Sequence, residues 1–292
     1  MTPMRERDMR PDYSTGPAHL KTPWSRGACA LAHPAWPAHA LPVLLQGPGF
    51  FFEPALFAGH VARHAARFTS AAPFAHAVMD DFLPAPLADA LAAAFPAPSH
   101  PHWKRVDHAE QAGRLGHLQR ADFEGVDPLV RHTLDQLNGA VFLRFLEQLS
   151  GLRGLIGDPS FRAAGAHLTL PGGHLDLHAD FNRDRFRGLS RALTVLLYLN
   201  PGWQDGWGGA LELWPADRSA CAQRIAPLHN RCVVMLHSDD GYHGHPQPLG
   251  CPPERARKSL VAYYYQSDET RRAADPSYTP APAHGALWVR PR

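Results

Sequence analysis

From about residue 160 onward, short apolar runs alternate with Gly and Pro turns, and this pattern constrains the fold more than any other feature of the chain. The runs fall at 165–170, 173–180, 192–199, 210–214, 223–226, 231–237, 241–245 and 258–266. Short runs rich in β-branched and aromatic residues, bounded by turn formers, read as strands. Eight of them at this spacing predict an all-β sandwich or barrel. A double-sheet jelly roll is its natural form, and it closes around a pocket.

The preceding stretch has a different period. Pro54 stands at the first turn of a segment in which Phe57, Val61, His64 and Phe68 share a face, which predicts a helix over 54–68. Residues 74–82 read as a short strand ending at Asp80-Asp81. Pro86 opens a second helix with Leu87, Leu91 and Phe95 in register, and Pro96 stops it. Residues 97–126 read as irregular. A third helix then starts at the capping residue Asp127, with Pro128 at its first position. Its stripe of Leu134, Leu137, Val141, Phe145 and Leu149 runs to a terminating Gly151.

The expected fold class is therefore α+β with a mainly β core. Supporting helices occupy 51–160, a jelly roll 161–270 and a C-terminal tail 271–292. Residues 1–50 are a Pro- and Ala-rich extension without helical or strand period. Either it is disordered or extended over the surface, or Trp24, Trp36 and Phe50 to Phe52 anchor it to the core.

Composition narrows the partners. Lys+Arg and Asp+Glu nearly balance, and a net charge of +2 gives no ground for nucleic acid or membrane partners. Cys29, Cys221, Cys232 and Cys251 include no Cys-x-x-Cys pair, so a structural zinc site is not expected. The N-terminus lacks a signal-peptide core, and no apolar run reaches the length of a membrane span. A cytoplasmic protein with reduced thiols is expected. Nothing in the sequence indicates an oligomeric state.

The chain has 19 histidines, so one histidine alone carries little information. His178-Ala179-Asp180 is more telling. Residues two apart on a strand point to the same face, so both side chains can reach one metal. Pro171-Gly172-Gly173 supplies the turn that starts this strand. His243 follows a later strand, with Tyr242 before it and Gly244 leaving room beside a metal. Two histidines and one carboxylate form the arrangement of non-haem Fe(II) oxygenases, with half of an octahedral shell left open. His245 and His237 compete with His243 for the third position. His174 and Asp176 repeat the same spacing nearer the turn and read as rim residues.

Fourteen residues beyond His243, Arg257-Lys258-Ser259 opens a strand. Arg257 and Ser259 share a face and can grip a carboxylate, the guanidinium by two parallel hydrogen bonds. Lys258 faces the other way. Such a cation suits the far carboxylate of 2-oxoglutarate, the usual co-substrate of these iron sites.

Together these motifs resemble the Fe(II)- and 2-oxoglutarate-dependent dioxygenase superfamily. More narrowly, they are similar to the bacterial branch related to prolyl 4-hydroxylase catalytic domains. The resemblance rests on His178-Ala179-Asp180-Phe181-Asn182, Leu196-Leu197-Tyr198-Leu199-Asn200, Gly208-Gly209-Ala210-Leu211-Glu212-Leu213-Trp214, Tyr242-His243-Gly244-His245-Pro246 and Arg257-Lys258-Ser259-Leu260. It implies a double-stranded β-helix, with iron on His178, Asp180 and His243 and 2-oxoglutarate on Arg257 and Ser259. It also implies Fe(II), 2-oxoglutarate and O2, with ascorbate as a reductant, and succinate and CO2 as co-products.

Two departures from the family pattern matter. The gap from His243 to Arg257 is long, which leaves Lys258 as a substitute. The tyrosine that some relatives carry upstream of the H-x-D strand is missing, which leaves the role to His167, Thr169 or the Tyr198 strand. Related halogenases carry a small residue at the position of Asp180, so hydroxylation or desaturation is expected rather than halogenation. The competing readings are a cupin-like metal-binding jelly roll without 2-oxoglutarate chemistry, and a non-catalytic domain of the same fold. The expected partner is a free amino acid, a peptidyl residue or a small biosynthetic intermediate. Either Trp203, Trp207, Arg183 and Arg185 line its mouth, or Arg183, Asp184, Arg185 and Arg187 form a solvated loop; Arg191 pairs with a carboxylate of the core or of the substrate.

Overall fold

The computed structural model describes residues 52–101, 103–116, 125–161 and 163–290, so the expectation for residues 1–50 lies outside them. Phe52 is the one described member of the proposed anchors, and it is buried against Phe57 and Phe142. Helices α1 (Pro54–Phe68), α2 (Ala85–Ala94), α3 (Pro128–Leu137) and α4 (Ala140–Ser150) lie ahead of the main strands, and α5 (Asp268–Ala274) follows them. Proline in the first turn starts α1, α2 and α3, where its missing N–H costs no hydrogen bond. Asp127 caps α3 by accepting a hydrogen bond from Leu129 N at 2.8 Å. No described helix is long and apolar enough to cross a membrane.

The single helix expected after Asp127 is two. Asn138 caps the end of α3, and Gly139, in extended conformation, starts α4. The apolar stripe runs through both helices, so periodicity alone does not reveal the break. The Asn138 amide instead donates to the Asp158 carbonyl. Gly151 closes α4 in the left-handed region at φ 78°, as expected.

The strands are β1 (His76–Met79), β2 (Lys104–His108), β3 (Gln111–Gly116), β4 (Ile156–Gly157), β5 (Gly165–Ala179), β6 (Arg183–Asp184), β7 (Leu189–Tyr198), β8 (Leu211–Trp214), β9 (Gln223–Ile225), β10 (Arg231–Leu236), β11 (Tyr242–His245), β12 (Arg257–Gln266) and β13 (Leu287–Trp288). All pairings are antiparallel, and the main path runs β1-β10-β7-β12-β5-β11-β8-β9. This is a jelly roll with N-terminal supporting helices.

Side-chain alternation divides it into two layers. Leu193, Val195 and Leu197 of β7 and Leu260, Ala262 and Tyr264 of β12 join Phe57, Phe142 and Phe145 in the main core under the helices. Thr194, Leu196, Arg257, Ser259, Val261 and Tyr263 alternate with them and line an inner cavity. Both faces of these strands are thus buried, which explains their near-continuous apolar sequence.

Three expectations need correction. Residues 165–170 and 173–180 are one bent strand, β5, and not two. Pro171-Gly172-Gly173 does not start a strand but presses β5 against β3, where a Cβ on Gly113 would lie 2.8 Å from Gly173 Cα. The stretch 97–126 contains the β2–β3 hairpin, which is too charged to show an apolar alternation. Toward the C-terminus the described residues include α5 and β13, and β13 pairs with β5.

Candidate metal centre and co-substrate pocket

β5 carries His178 near its end, and Asp180 follows directly. β11 lies beside β5 with His243 opposite His178. The ring centroids of the two histidines are 4.6 Å apart. His178 Nε2 is 3.6 Å from Asp180 Oδ1, and His243 Nε2 is 3.6 Å from Asp180 Oδ2. Among the described residues this is the only His/Cys/Asp/Glu group whose ligand atoms converge, all within 4.8 Å.

The hydrogen bonds around the imidazoles fit a metal. His178 Nδ1 is 2.9 Å from the Asp176 carbonyl, and His243 Nδ1 is 2.9 Å from the Gly241 carbonyl. A carbonyl only accepts, so each Nδ1 carries the proton and each Nε2 turns a lone pair toward the other ligands. Burial drives the pKa of His243 down to about 4, against the pull of Asp180, so the ring stays neutral. Burial alone would raise Asp180. Arg191 above all, with the two histidines, holds it well below the usual carboxylate range.

Arg191 is fully buried, with its guanidinium between the Phe181 ring at 4.3 Å and the Tyr263 ring at 3.5 Å. It donates to Asp180 Oδ2 at 2.8 Å, and Thr194 Oγ1 donates to the same oxygen at 3.2 Å. One carboxylate oxygen is thereby fixed, and the other faces His178. The sequence placed Arg191 against a carboxylate without identifying it, and Thr194 was missed.

The remaining histidines lie elsewhere. His245 is buried in the cavity wall outside the converging group. His237 stands 3.4 Å from Asp239. His174 and Asp176 form a partly exposed pair 3.8 Å apart. Gly244 leaves room for the β5 backbone and not for a metal, since a Cβ there would sit 2.6 Å from the Asp176 carbonyl oxygen.

Deeper in the cavity, Arg257 is 5% exposed. Its Nε donates to the Gly209 carbonyl at 2.8 Å and its terminal nitrogen to the Tyr198 hydroxyl at 3.0 Å. Both partners are neutral, so this buried cation favours an anionic guest. Ser259 lies on the same wall, as does His167, while Thr169 pairs with Arg257 through the backbone only. Lys258 points to the helical side, with Nζ 3.5 Å from the Ala92 carbonyl and over the Phe95 ring.

The cavity holding these groups measures about 210 Å³. A larger one of about 430 Å³ lies beyond His245, lined by Trp203, Glu212 and Arg224, and touches none of the three converging residues. Trp203 and Trp207 pack on each other beside Leu249 and Cys251. Arg183 is held by Asp268, Ser190 and the Gly188 carbonyl. Neither these tryptophans nor Arg183 or Arg185 lines the smaller cavity, so none of them forms its mouth.

Residues 164–265 match the family model of the 2OG-Fe(II) oxygenase superfamily. The chain carries a 2OG-Fe(II) oxygenase domain. This oxygenase is a 2-oxoglutarate-dependent dioxygenase using Fe(II), 2-oxoglutarate and O2. No curated protein matches its sequence. A prolyl hydroxylase from Trichoplax adhaerens, solved with a hypoxia inducible factor oxygen degradation domain peptide, is 18% identical. That match covers 74% of the oxygenase and 93% of the relative, with a TM-score of 0.53. A prolyl 4-hydroxylase from Phytophthora capsici is 16% identical over 76% of the oxygenase and 72% of its own chain, with a TM-score of 0.50. A prolyl-4-hydroxylase from Pseudomonas putida is 22% identical over 73% and 98%, with a TM-score of 0.48. The first two share the jelly roll of the oxygenase.

Proposed function

We propose that His178, Asp180 and His243 hold Fe(II), that Arg257 and Ser259 bind 2-oxoglutarate, and that the enzyme hydroxylates an unactivated C–H bond of its substrate. The observation that carries this reading is the convergence of two Nε2 atoms and one carboxylate beside a buried arginine with neutral partners. We assign the whole of 51–292 to the oxygenase domain.

Bound Fe(II) supplies O2 activation coupled to decarboxylation of 2-oxoglutarate, which yields succinate and CO2. The chain supplies the setting. The carbonyls of Asp176 and Gly241 keep the protons on Nδ1, so that Nε2 is the ligating atom of each ring. Arg191 and Thr194 hold Asp180 ionised and fixed in rotation. Arg257 receives the far carboxylate of 2-oxoglutarate, with the Tyr198 hydroxyl and Ser259 beside it. Phe181, Tyr263 and Val261 exclude water around the reacting C–H.

The test is succinate formation from 2-oxoglutarate with Fe(II) and O2, over a panel of free amino acids and short peptides. The expected result is iron-dependent succinate release that His178→Ala, Asp180→Ala and His243→Ala each abolish. Iron-independent turnover, or full turnover in any of the three variants, overturns the assignment.

A further inference from the structure

Beyond α5 the chain turns back across the mouth of the iron site. Asn182 clamps it from both sides: its amide donates to the Pro282 carbonyl at 2.9 Å, and its Oδ1 accepts from His284 N at 3.0 Å. His284 Nε2 lies 3.0 Å from Asp239 Oδ1. β13 then pairs with β5, Leu287 opposite Ala179 and Trp288 opposite His178. The N–H of Val289 donates to the Leu177 carbonyl at 2.9 Å, and Arg218 donates to the Arg290 carbonyl at 3.2 Å. The Trp288 ring lies 4.9 Å from the His178 ring and 5.8 Å from the ring of His108 on the β2–β3 hairpin. Trp288 and Ala286 are walls of the iron-site cavity.

Two consequences follow for what can enter. β3 pairs along residues 168–175 of β5, and β13 takes residues 178–179. The β5 edge beside the metal ligands is therefore already paired within the chain. A peptide recognised as an added strand needs such an edge free. The space left is also small. A cavity of about 210 Å³ falls below the ~300–1,000 Å³ usual for ligand pockets, and the co-substrate takes part of it.

We infer that residues 282–290 are a fixed wall of the substrate site, with Trp288 as its iron-facing surface, and that the substrate is a compound about the size of a free amino acid and not a polypeptide. This rests on the Fe(II)/2-oxoglutarate reading and narrows it. The wall faces the reacting C–H with an indole, so the substrate turns an apolar part toward the iron.

The test uses the full chain loaded with Mn(II) and 2-oxoglutarate. Hydrogen exchange of 286–290 is compared with that of 177–179, with and without peptides of about ten residues. In parallel, succinate release with Fe(II) is measured for free amino acids and for those peptides, in wild type and in Trp288→Ala. The expected result is that 286–290 exchange as slowly as β5, that peptides change neither exchange nor wild-type turnover, and that Trp288→Ala raises succinate release without product. Exchange of 286–290 about tenfold faster than β5 overturns the wall. So does a peptide that stimulates the wild type more than its free amino acids do. A loss of 2-oxoglutarate binding by calorimetry counts against the co-substrate reading instead, because exchange reports on the wall whether or not the cavity is filled.

Discussion

Arg257 and Lys258 are adjacent in sequence and opposite in environment. Arg257 reaches the cavity, where Gly209 and Tyr198 steady it. Lys258 packs against α2 and Phe95 with its pKa lowered by burial. Arg257→Ala removes a buried charge-assisted partner, which costs roughly 2–5 kcal/mol in such pairs. A steep rise in KM for 2-oxoglutarate is therefore expected, with Lys258→Ala close to wild type. Equal effects of the two substitutions would contradict this division. Asp180 fills the ligand position that a halide would need, so products formed in chloride or bromide buffer should gain one oxygen by mass, or lose two hydrogens, and carry no halogen. A halogenated product from wild type contradicts that.

The elements differ in how plainly the sequence announces them. Strands β7, β8, β10 and β12 were legible because burial on one or both faces writes apolar runs between turns. The grouping of His178 with Asp180 was legible from the two-residue strand period, and His243 was named from its place after a later strand; the structure brings the three together. The β2–β3 hairpin was not legible, because the side chains of β2 are largely exposed and charged. β13 was not legible because two residues in a Pro- and Ala-rich tail show no period. Without β13, Trp288 could not be placed at the iron site. Gly244 shows the same limit: the sequence marks it as small, and only the register of β11 on β5 shows what it must avoid. Gly244→Ala should destabilise the protein by roughly 1–3 kcal/mol, as overpacking does, and weaken iron binding through His243. Thermal melts and iron titration check this, and an unchanged Tm would mean that β11 lies farther from β5.

At the scale of the whole molecule, two buried histidines, His237 and His243, set the response to acid. His237 and His243 have folded pKa values pushed down to about 4, each mainly by burial, while in an unfolded chain they titrate near ~6.5. Between these values the unfolded chain binds more protons. Metal-free protein should therefore be at full stability above about pH 6.5 and lose it steadily toward about pH 4. Asp268, held down to about 2 chiefly by its hydrogen bond to Arg183, extends the loss below its unfolded value near ~3.9. Tm measured across this range checks the slope, and a flat profile would contradict buried neutral histidines. The most direct test of the iron centre is the visible charge-transfer absorption of the anaerobic Fe(II)–2-oxoglutarate complex. Wild type and His245→Ala should form it, and His178→Ala, Asp180→Ala and His243→Ala should not. Absorption retained in His243→Ala and lost in His245→Ala would contradict the account.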